Sequence, residues 1–344
     1  MNNPVALASV NELEQTLATP SKNLIEDVAN LEGDIMLLGA GGKMGSSLAR
    51  LARRAIEASG VRKKVIAVSR FSNTSLVSEL QADGIEVIQA DLLEDRALDA
   101  LPGVANIIYM VGMKFGSSGN QPLTWGMNTF LAGKVAERFR ESRIVAFSTG
   151  NVYPLVPVDS GGATEDGATG PVGEYAQSCL GRERLFEYGS QRYGTQTLLF
   201  RLNYANDLRY GVLLDVARAV FEGHPIDLSM GYANVIWQGD ANEVALRSLN
   251  HCNSPAEILN VTGPKTVAIR WLAKEFSKHF SKEPIFENTE QETALLSNAS
   301  KMTKLFGKSS VSLEQMITWT AHWLKIDGET LSKPTGFQQR EGKF

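Results

Sequence analysis

Residues 173–184 read GEYAQSCLGRER and place a phenol, Tyr175, four residues before a thiol, Cys179. On a helix, side chains four apart share a face. A tyrosine so placed can carry a proton to or from a substrate oxygen, provided its surroundings tune it. An ammonium at 179 would acidify the phenol, and a neutral thiol does not. With a pKa of about 10, roughly one phenol in a thousand is ionised at neutral pH, which is about 4 kcal/mol against its use as a base. Donating a proton to a developing alkoxide requires only that the phenol start neutral, so the pair suits carbonyl reduction better than alcohol oxidation. Lys114, in VGMKFGSSGN, lies at the end of an apolar run and is the candidate replacement cation. Arg182 lies on the tyrosine face a further turn away but does not release its proton, and Cys179 itself reads as a small packed residue.

The strongest local signal is IMLLGAGGKMGSSLAR, residues 35–50, where Gly39, Gly42 and Gly45 separate an apolar strand from a helix. Glycines at this spacing permit a tight turn and close approach of backbone to a pyrophosphate, and the helix N-terminus offers N–H groups and a positive dipole end. A dinucleotide is the expected ligand, with Lys43 and Met44 of the loop assigned to it. At the end of the second strand an acidic residue would bind the ribose 2′-hydroxyl of NAD. The sequence AVSRF instead puts Ser69 and Arg70 there, a pair suited to a 2′-phosphate, with Lys43 as a second cation. NADP(H) is therefore favoured, with NAD(H) as the alternative. Asp91, in VIQADLLED, either faces the adenine amino group, with Leu92 against the ring, or caps the next helix.

These residues need a frame. Apolar runs near 35–39, 64–69, 85–89, 105–111, 143–148 and 196–201 predict strands buried on both faces. Helical patterns at 45–58, 121–140 and 174–193 alternate with them, which predicts an α/β fold with a doubly wound parallel sheet, the Rossmann arrangement. The expected division is an N-terminal helical extension (1–33), a dinucleotide-binding domain (34–202), a smaller C-terminal α/β lobe for substrate (mainly 203–327) and a polar tail (328–344). That tail is expected to be mobile or to reach a neighbouring subunit. Trp237, Trp271, Trp319 and Trp323 read as lobe core, while Trp237 and Tyr204 are also candidates to line the substrate pocket. The loop GSSGN (116–120) and the stretch 154–173 are long enough to contact substrate.

A net charge of −4 with mixed signs over 344 residues gives no electrostatic reason for a nucleic-acid or membrane partner. His224, His251, His279 and His322 have no companions at ligand spacing, so no metal is expected. Two distant cysteines, no signal-peptide pattern and no apolar run of spanning length lead to a cytoplasmic expectation.

Taken in order, the glycine loop, AD at 90–91, NIIYMVGMK, Asn128, FSTGNVYP at 147–154, ATEDG at 163–167, the Tyr175 helix with Ser178, Leu180 and Glu183, RLNYAN at 201–206 and WQGDANEVA at 237–245 resemble the extended short-chain dehydrogenase/reductase superfamily, in its NAD-dependent epimerase/dehydratase group. The resemblance implies that Thr149 hydrogen-bonds the reacting oxygen and that Tyr175 is the catalytic phenol, with Lys114 as its altered partner. It implies that Val111 and Gly112 border the cofactor, that Glu165 is a loop acid before the tyrosine helix, and that Met113, Asn151, Asn203 and Tyr204 lie toward substrate. Cys179 occupies the place of the lysine that would reach the cofactor ribose and is assigned there. The implied substrate is a sugar, sugar acid or nucleotide sugar, and the implied assembly is a homodimer through the helices near 121–140 and 174–193. Gly150 and Asn151 stand where family dehydratases carry Asp-Glu, which disfavours elimination. Two readings stay open: an oxidoreductase or epimerase-like enzyme, and a non-catalytic NADP(H)-binding protein that signals to a partner.

Overall fold

The computed structural model describes residues 6–114, 116–117 and 119–343, so Ser118 of the expected substrate loop lies outside the described residues. At its centre is a parallel sheet of β1 (Ile35–Leu38), β2 (Val65–Ser69), β3 (Glu86–Gln89), β4 (Asn106–Tyr109), β5 (Arg143–Thr149), β6 (Thr197–Leu202) and β7 (Glu257–Val261). Their order is β7-β6-β5-β4-β1-β2-β3. The chain winds outward from β1 to β3 and then returns to lay β4 on the other side of β1. Leu38 pairs with both Val68 and Tyr109, so the carboxyl ends of these strands are level where the winding reverses. A crevice opens at such a point. Every residue of β1 and β4 is buried, which explains their uninterrupted apolar sequence.

Six strands fall where the apolar runs predict them. The seventh does not: residues 257–261, expected within the lobe, pair with β6 in parallel. As the edge strand, with its first two residues only half-buried, EILNV lacks the continuous apolar signature of the inner strands.

Helices α1 (Val10–Leu17) and α2 (Lys22–Asn30) form the N-terminal extension. Ser9 accepts from the Glu12 N–H while Glu12 accepts from the Ala8 N–H, a reciprocal cap that starts α1. Glu14 of α1 then pairs with Arg50 of α3 (Gly45–Ser59) at 3.1 Å and with Arg209 at 2.7 Å, stapling the sheet domain to the lobe. Flanking the sheet are α4 (Thr74–Ala82), α5 (Gln121–Trp125), which runs through a π turn into α6 (Leu131–Arg138), and the long α7 (Gly173–Tyr193). The lobe contains α8 (Val212–Glu222), α9 (Gln238–Arg247), α10 (Ile269–Phe280), α11 (Ser300–Phe306) and α12 (Leu313–Lys325). Trp319 and Trp323 are in its core as expected, whereas Trp271 is 42% exposed, on the outer face of α10.

The C-terminal tail is neither free nor extended outward. Leu331 donates its N–H to Arg209 O, Thr335 binds Asp215 through both N–H and hydroxyl, Phe337 is 1% exposed, and Arg340 donates to Ser229 O and Thr293 O. The segment crosses the lobe and ends with Gly342 against Gly173, at the start of α7.

A buried ion pair fixes α7 to the sheet. Glu183 accepts two hydrogen bonds from Arg201, at 2.9 and 2.7 Å, and a third from Ser148 at 2.5 Å. Arg201 also donates to the Tyr153 hydroxyl, which in turn donates to Asn260 of β7. Four elements, α7, β5, β6 and β7, are thereby joined through groups that water cannot rescue. Truncating one partner strands a buried charge. Glu183→Ala is expected to lower the unfolding free energy by about 3–5 kcal/mol, measured by urea denaturation. A loss below about 1 kcal/mol would show that the pair contributes little.

Candidate functional site

The glycine loop leaves β1 at Gly39, whose φ of +96° and 2.9 Å approach to Val111 N leave no place for a side chain. A Cβ on Gly45 would lie 2.2 Å from Ala40 O, so only glycine lets α3 start this close to the loop. The resulting cavity, about 520 Å³, is lined by Gly39 and Gly42 at one end, Ser69, Arg70, Asp91 and Leu92 at the other, and Val111 and Gly112 between. Its size and its glycine floor fit a dinucleotide lying across the crevice. Sequence reasoning missed Gly41, where a Cβ would meet Ser69 Oγ at 2.7 Å, and the wall residues Phe71, Met110, Met127 and Leu131. Scattered apolar positions carry no pattern that separates a cofactor wall from core.

At the ribose end, Arg70 is two-thirds exposed and lies 3.8 Å from the Asp91 carboxylate, which also accepts from the Leu93 N–H. Asp91 thus both caps the following turn and lines the cleft. An exposed pair of this kind is worth little, about 0–1 kcal/mol, so the guanidinium is available to a ligand phosphate. Lys43 does not join it. The ammonium points to the other side of the loop, 2.9 Å from the centre of the Tyr210 ring, and lines a second cavity together with Met44. The expected second contact to a 2′-phosphate is therefore replaced by a place on the second cavity, because the loop turns these side chains away from Ser69.

This second cavity, about 150 Å³, brings together Thr149, Tyr175, Lys114, Asn151, Asn203 and Tyr204. The Thr149 hydroxyl accepts from Asn151 N–H and Nδ2, at 3.2 and 3.0 Å, and is hydrogen-bonded to the Tyr175 phenol. Burial raises the phenol pKa far above its usual value, and the neighbouring Cys179 thiol adds to the rise. Arg182 and Thr149 oppose this without cancelling it. Lys114 lies 5.9 Å from the centre of the Tyr175 ring and donates to Thr335 O at 3.0 Å; burial lowers its pKa to about 8. Burial likewise lowers Lys43 to about 7, although Asp207 works against the shift. Asn203 donates to Leu295 O, and Tyr204 adopts a φ of +47°. A Cβ on Gly150 would lie 3.1 Å from the side chains of Asn203 and Ser297, so a larger residue there would have to displace them.

Three assignments are corrected, and the loop acid before the tyrosine helix is placed. Cys179 is fully buried beside Val152 and Tyr153, with its thiol hydrogen-bonded to Tyr175 and its pKa raised by burial, so it packs behind the phenol and lines neither cavity. Met113 is clamped at its backbone by Asn128, and its sulfur turns to Thr124, away from substrate. Trp237, 2% exposed, stacks edge-on against Trp319 in the lobe core because its strand directs the indole inward. Glu165 accepts from Asn260 N–H and holds β7, outside both cavities. Sequence reading also undervalued Arg182, whose guanidinium donates to Asn128 O, Asn128 Oδ1 and Phe147 O. Its i+7 spacing from Tyr175 was visible, but that it turns inward was not. Among the described residues no group of side chains could hold a metal, and no helix is long and apolar enough to cross a membrane.

A search of curated protein sequences finds no match. Among solved structures the chain is similar to a mutant UDP-glucuronic acid 4-epimerase from Bacillus cereus in complex with a fluorinated UDP-sugar acid and NAD, with a TM-score of 0.72, 17% identity, and coverage of 85% of this chain and 99% of that one. It is similar to a double mutant of DesIV, a dTDP-glucose 4,6-dehydratase from Streptomyces venezuelae with NAD bound, at TM-score 0.71, 18% identity, and 85% and 96% coverage. It is also similar to UDP-glucose 4-epimerase from Thermus thermophilus in complex with NAD, at TM-score 0.67, 18% identity, and 85% and 99% coverage. These likenesses show the fold. The family model for the NAD dependent epimerase/dehydratase family matches residues 35–206, from the first residue of β1 past the Tyr175 helix to the floor of the second cavity. With the glycine cradle, the switch-point crevice and the Thr149–Tyr175 pair within that span, the chain belongs to the NAD-dependent epimerase/dehydratase family of extended short-chain dehydrogenases, a family of enzymes.

Proposed function

We propose that the protein is a nicotinamide-dependent oxidoreductase that reduces a carbonyl of a sugar-type substrate and prefers NADP(H). The carrying observation is the state of Tyr175: a partly buried residue, bonded to Thr149 and backed by a thiol, whose phenol is pushed far above its usual pKa by desolvation and so holds its proton at neutral pH. When bound, the dinucleotide supplies the hydride. Thr149, oriented by Asn151, positions the carbonyl oxygen, and Tyr175 delivers a proton to that oxygen as negative charge develops there. Lys114, with a pKa of about 8, returns the proton to the phenol.

At the other end of the crevice, Arg70 and Ser69 favour a 2′-phosphate, since charge-assisted hydrogen bonds from a guanidinium are strong and directional. A homodimer is supported by exposed Leu123, Trp125, Phe130 and Tyr188 on the outer faces of the α5–α6 segment and α7, an apolar area that a second copy would cover.

Tyr175→Phe is expected to lower the reduction rate at least a hundredfold while NADPH binding, followed by fluorescence, is unchanged. An unaffected rate would remove Tyr175 from the reaction, and NADPH binding with no turnover of any sugar, sugar acid or nucleotide sugar would favour a sensor. Lys114 is charged below its pKa of about 8 and neutral above it, so the rate should fall as pH rises through 8, and Lys114→Met should flatten that limb. Arg70→Asp should shift the ratio of NADPH to NADH affinity at least tenfold toward NADH; an unchanged ratio would refute the 2′-phosphate contact. Phe130→Glu with Tyr188→Glu should convert a dimer to a monomer in light scattering, and a wild-type monomer would dispose of the assembly.

A further inference from the structure

The second cavity is bordered on one side by the protein's own C-terminus and opens to solvent at Lys43. Thr335 is part of its wall, and the residues on either side are tied down at several points. Arg218 donates to Thr330, Lys114 to Thr335 O, and Tyr204 to Phe337 O. Phe337 is sunk in the lobe core, Arg340 is held by Ser229 and Thr293, and Gly342 abuts Val172 and Gly173. The strap therefore spans from the lobe to the first turn of the helix that bears Tyr175. A segment held by a buried aromatic and a multiply bonded arginine is a wall rather than a loose lid.

Beside this wall and Tyr175 the cleft measures about 150 Å³, whereas pockets that bury drug-sized ligands run to about 300–1,000 Å³. The larger cavity, lined by the glycine loop and Arg70, belongs to the dinucleotide. The charges around the small cavity are also specific. Lys43 and Lys114 line it, and Lys333 of the strap lies close enough to act on Lys43. The facing carboxylates are engaged elsewhere: Asp207 by Arg209 at 2.9 Å, and Asp215 by Thr335. Lys43 makes no hydrogen bond among the described residues and has only the Tyr210 ring beneath it. An ammonium in this position, with its neighbouring acids already satisfied, is set to receive an anion.

We infer that the strap at residues 330–342 is a fixed wall of the substrate site which excludes nucleotide sugars, and that the substrate is a free sugar acid whose carboxylate is held by Lys43. This deepens the reading of the site as a sugar-type reductase and rests on it. The carboxylate fixes one end of the substrate at Lys43 while the carbonyl faces Thr149 and Tyr175 at the other.

The test is calorimetric titration of the full chain, loaded with NADPH, using D-glucuronate, D-glucose and UDP-glucuronate as probes. Glucuronate is expected to bind at least tenfold more tightly than glucose, and UDP-glucuronate not at all. Lys43→Met should erase the advantage of the acid, with Lys43→Arg retaining it. Thr335→Ala combined with Arg340→Ala should loosen the strap and admit UDP-glucuronate, and retained NADPH binding will show that this variant is folded. Wild-type binding of UDP-glucuronate as tight as that of glucuronate, equal binding of glucuronate and glucose, or NADPH binding with no response to any of the three would overturn the inference. Those results leave the dinucleotide reading intact; failure to bind NADPH at all would instead overturn the underlying assignment.

Discussion

The arrangement at the mouth of the sheet depends on one buried guanidinium. Arg182 is 6% exposed and always charged, so its donors must all be answered inside the protein. Asn128 O, Asn128 Oδ1 and Phe147 O each accept from one of its three nitrogens, and Asn128 spends its amide nitrogen on Met113 O and Ser178. The loop after β4, the π turn between α5 and α6, the end of β5 and the tyrosine helix are thus held around a single charge. Moving any one of them by an ångström would leave a charged donor unpaired in a medium that cannot solvate it. A Cβ on Gly112 would lie 2.6 Å from Nη2 of Arg182, so the same guanidinium packs directly behind a residue that lines the larger cavity.

That constraint also shapes the chemistry. Arg182 supplies a permanent positive field behind Tyr175, as an ammonium at 179 would, but from a further turn along α7 and with its hydrogen bonds already committed. Burial and the adjacent thiol outweigh it, and the phenol stays protonated. The proposed reduction fits this environment, since a neutral phenol can donate a proton whereas abstraction would first need a phenolate that burial disfavours. Lys114 reaches the same ring from the strand side, and its tie to Thr335 holds it there.

Both termini act on the relation between sheet domain and lobe. Glu14 bridges Arg50 and Arg209 from the N-terminal side, and Ser47 of α3 is gripped by Gln238 and Asn242 of α9. The C-terminal strap completes the enclosure from the opposite side. A pocket built at a junction of two units is precise only if the junction is rigid, and these contacts distribute that rigidity over three separate elements.

Much of this was readable from the amino-acid order, because it rests on short-range rules. Apolar runs buried on both faces define the inner strands, and the spacing of Gly39, Gly42 and Gly45 between a strand and a helix defines a tight loop suited to a dinucleotide. The one-turn separation of Tyr175 and Cys179 follows from helical geometry alone. What the sequence left open were choices of direction and partner. Whether Lys43 faced Arg70 or Tyr210, whether Trp237 lined a pocket or filled the lobe, whether EILNV joined the sheet, and where the last residues lay all depended on contacts across long stretches of chain. Such contacts are decided by which buried groups must be paired and which volumes filled, and these become definite only when the whole chain has packed.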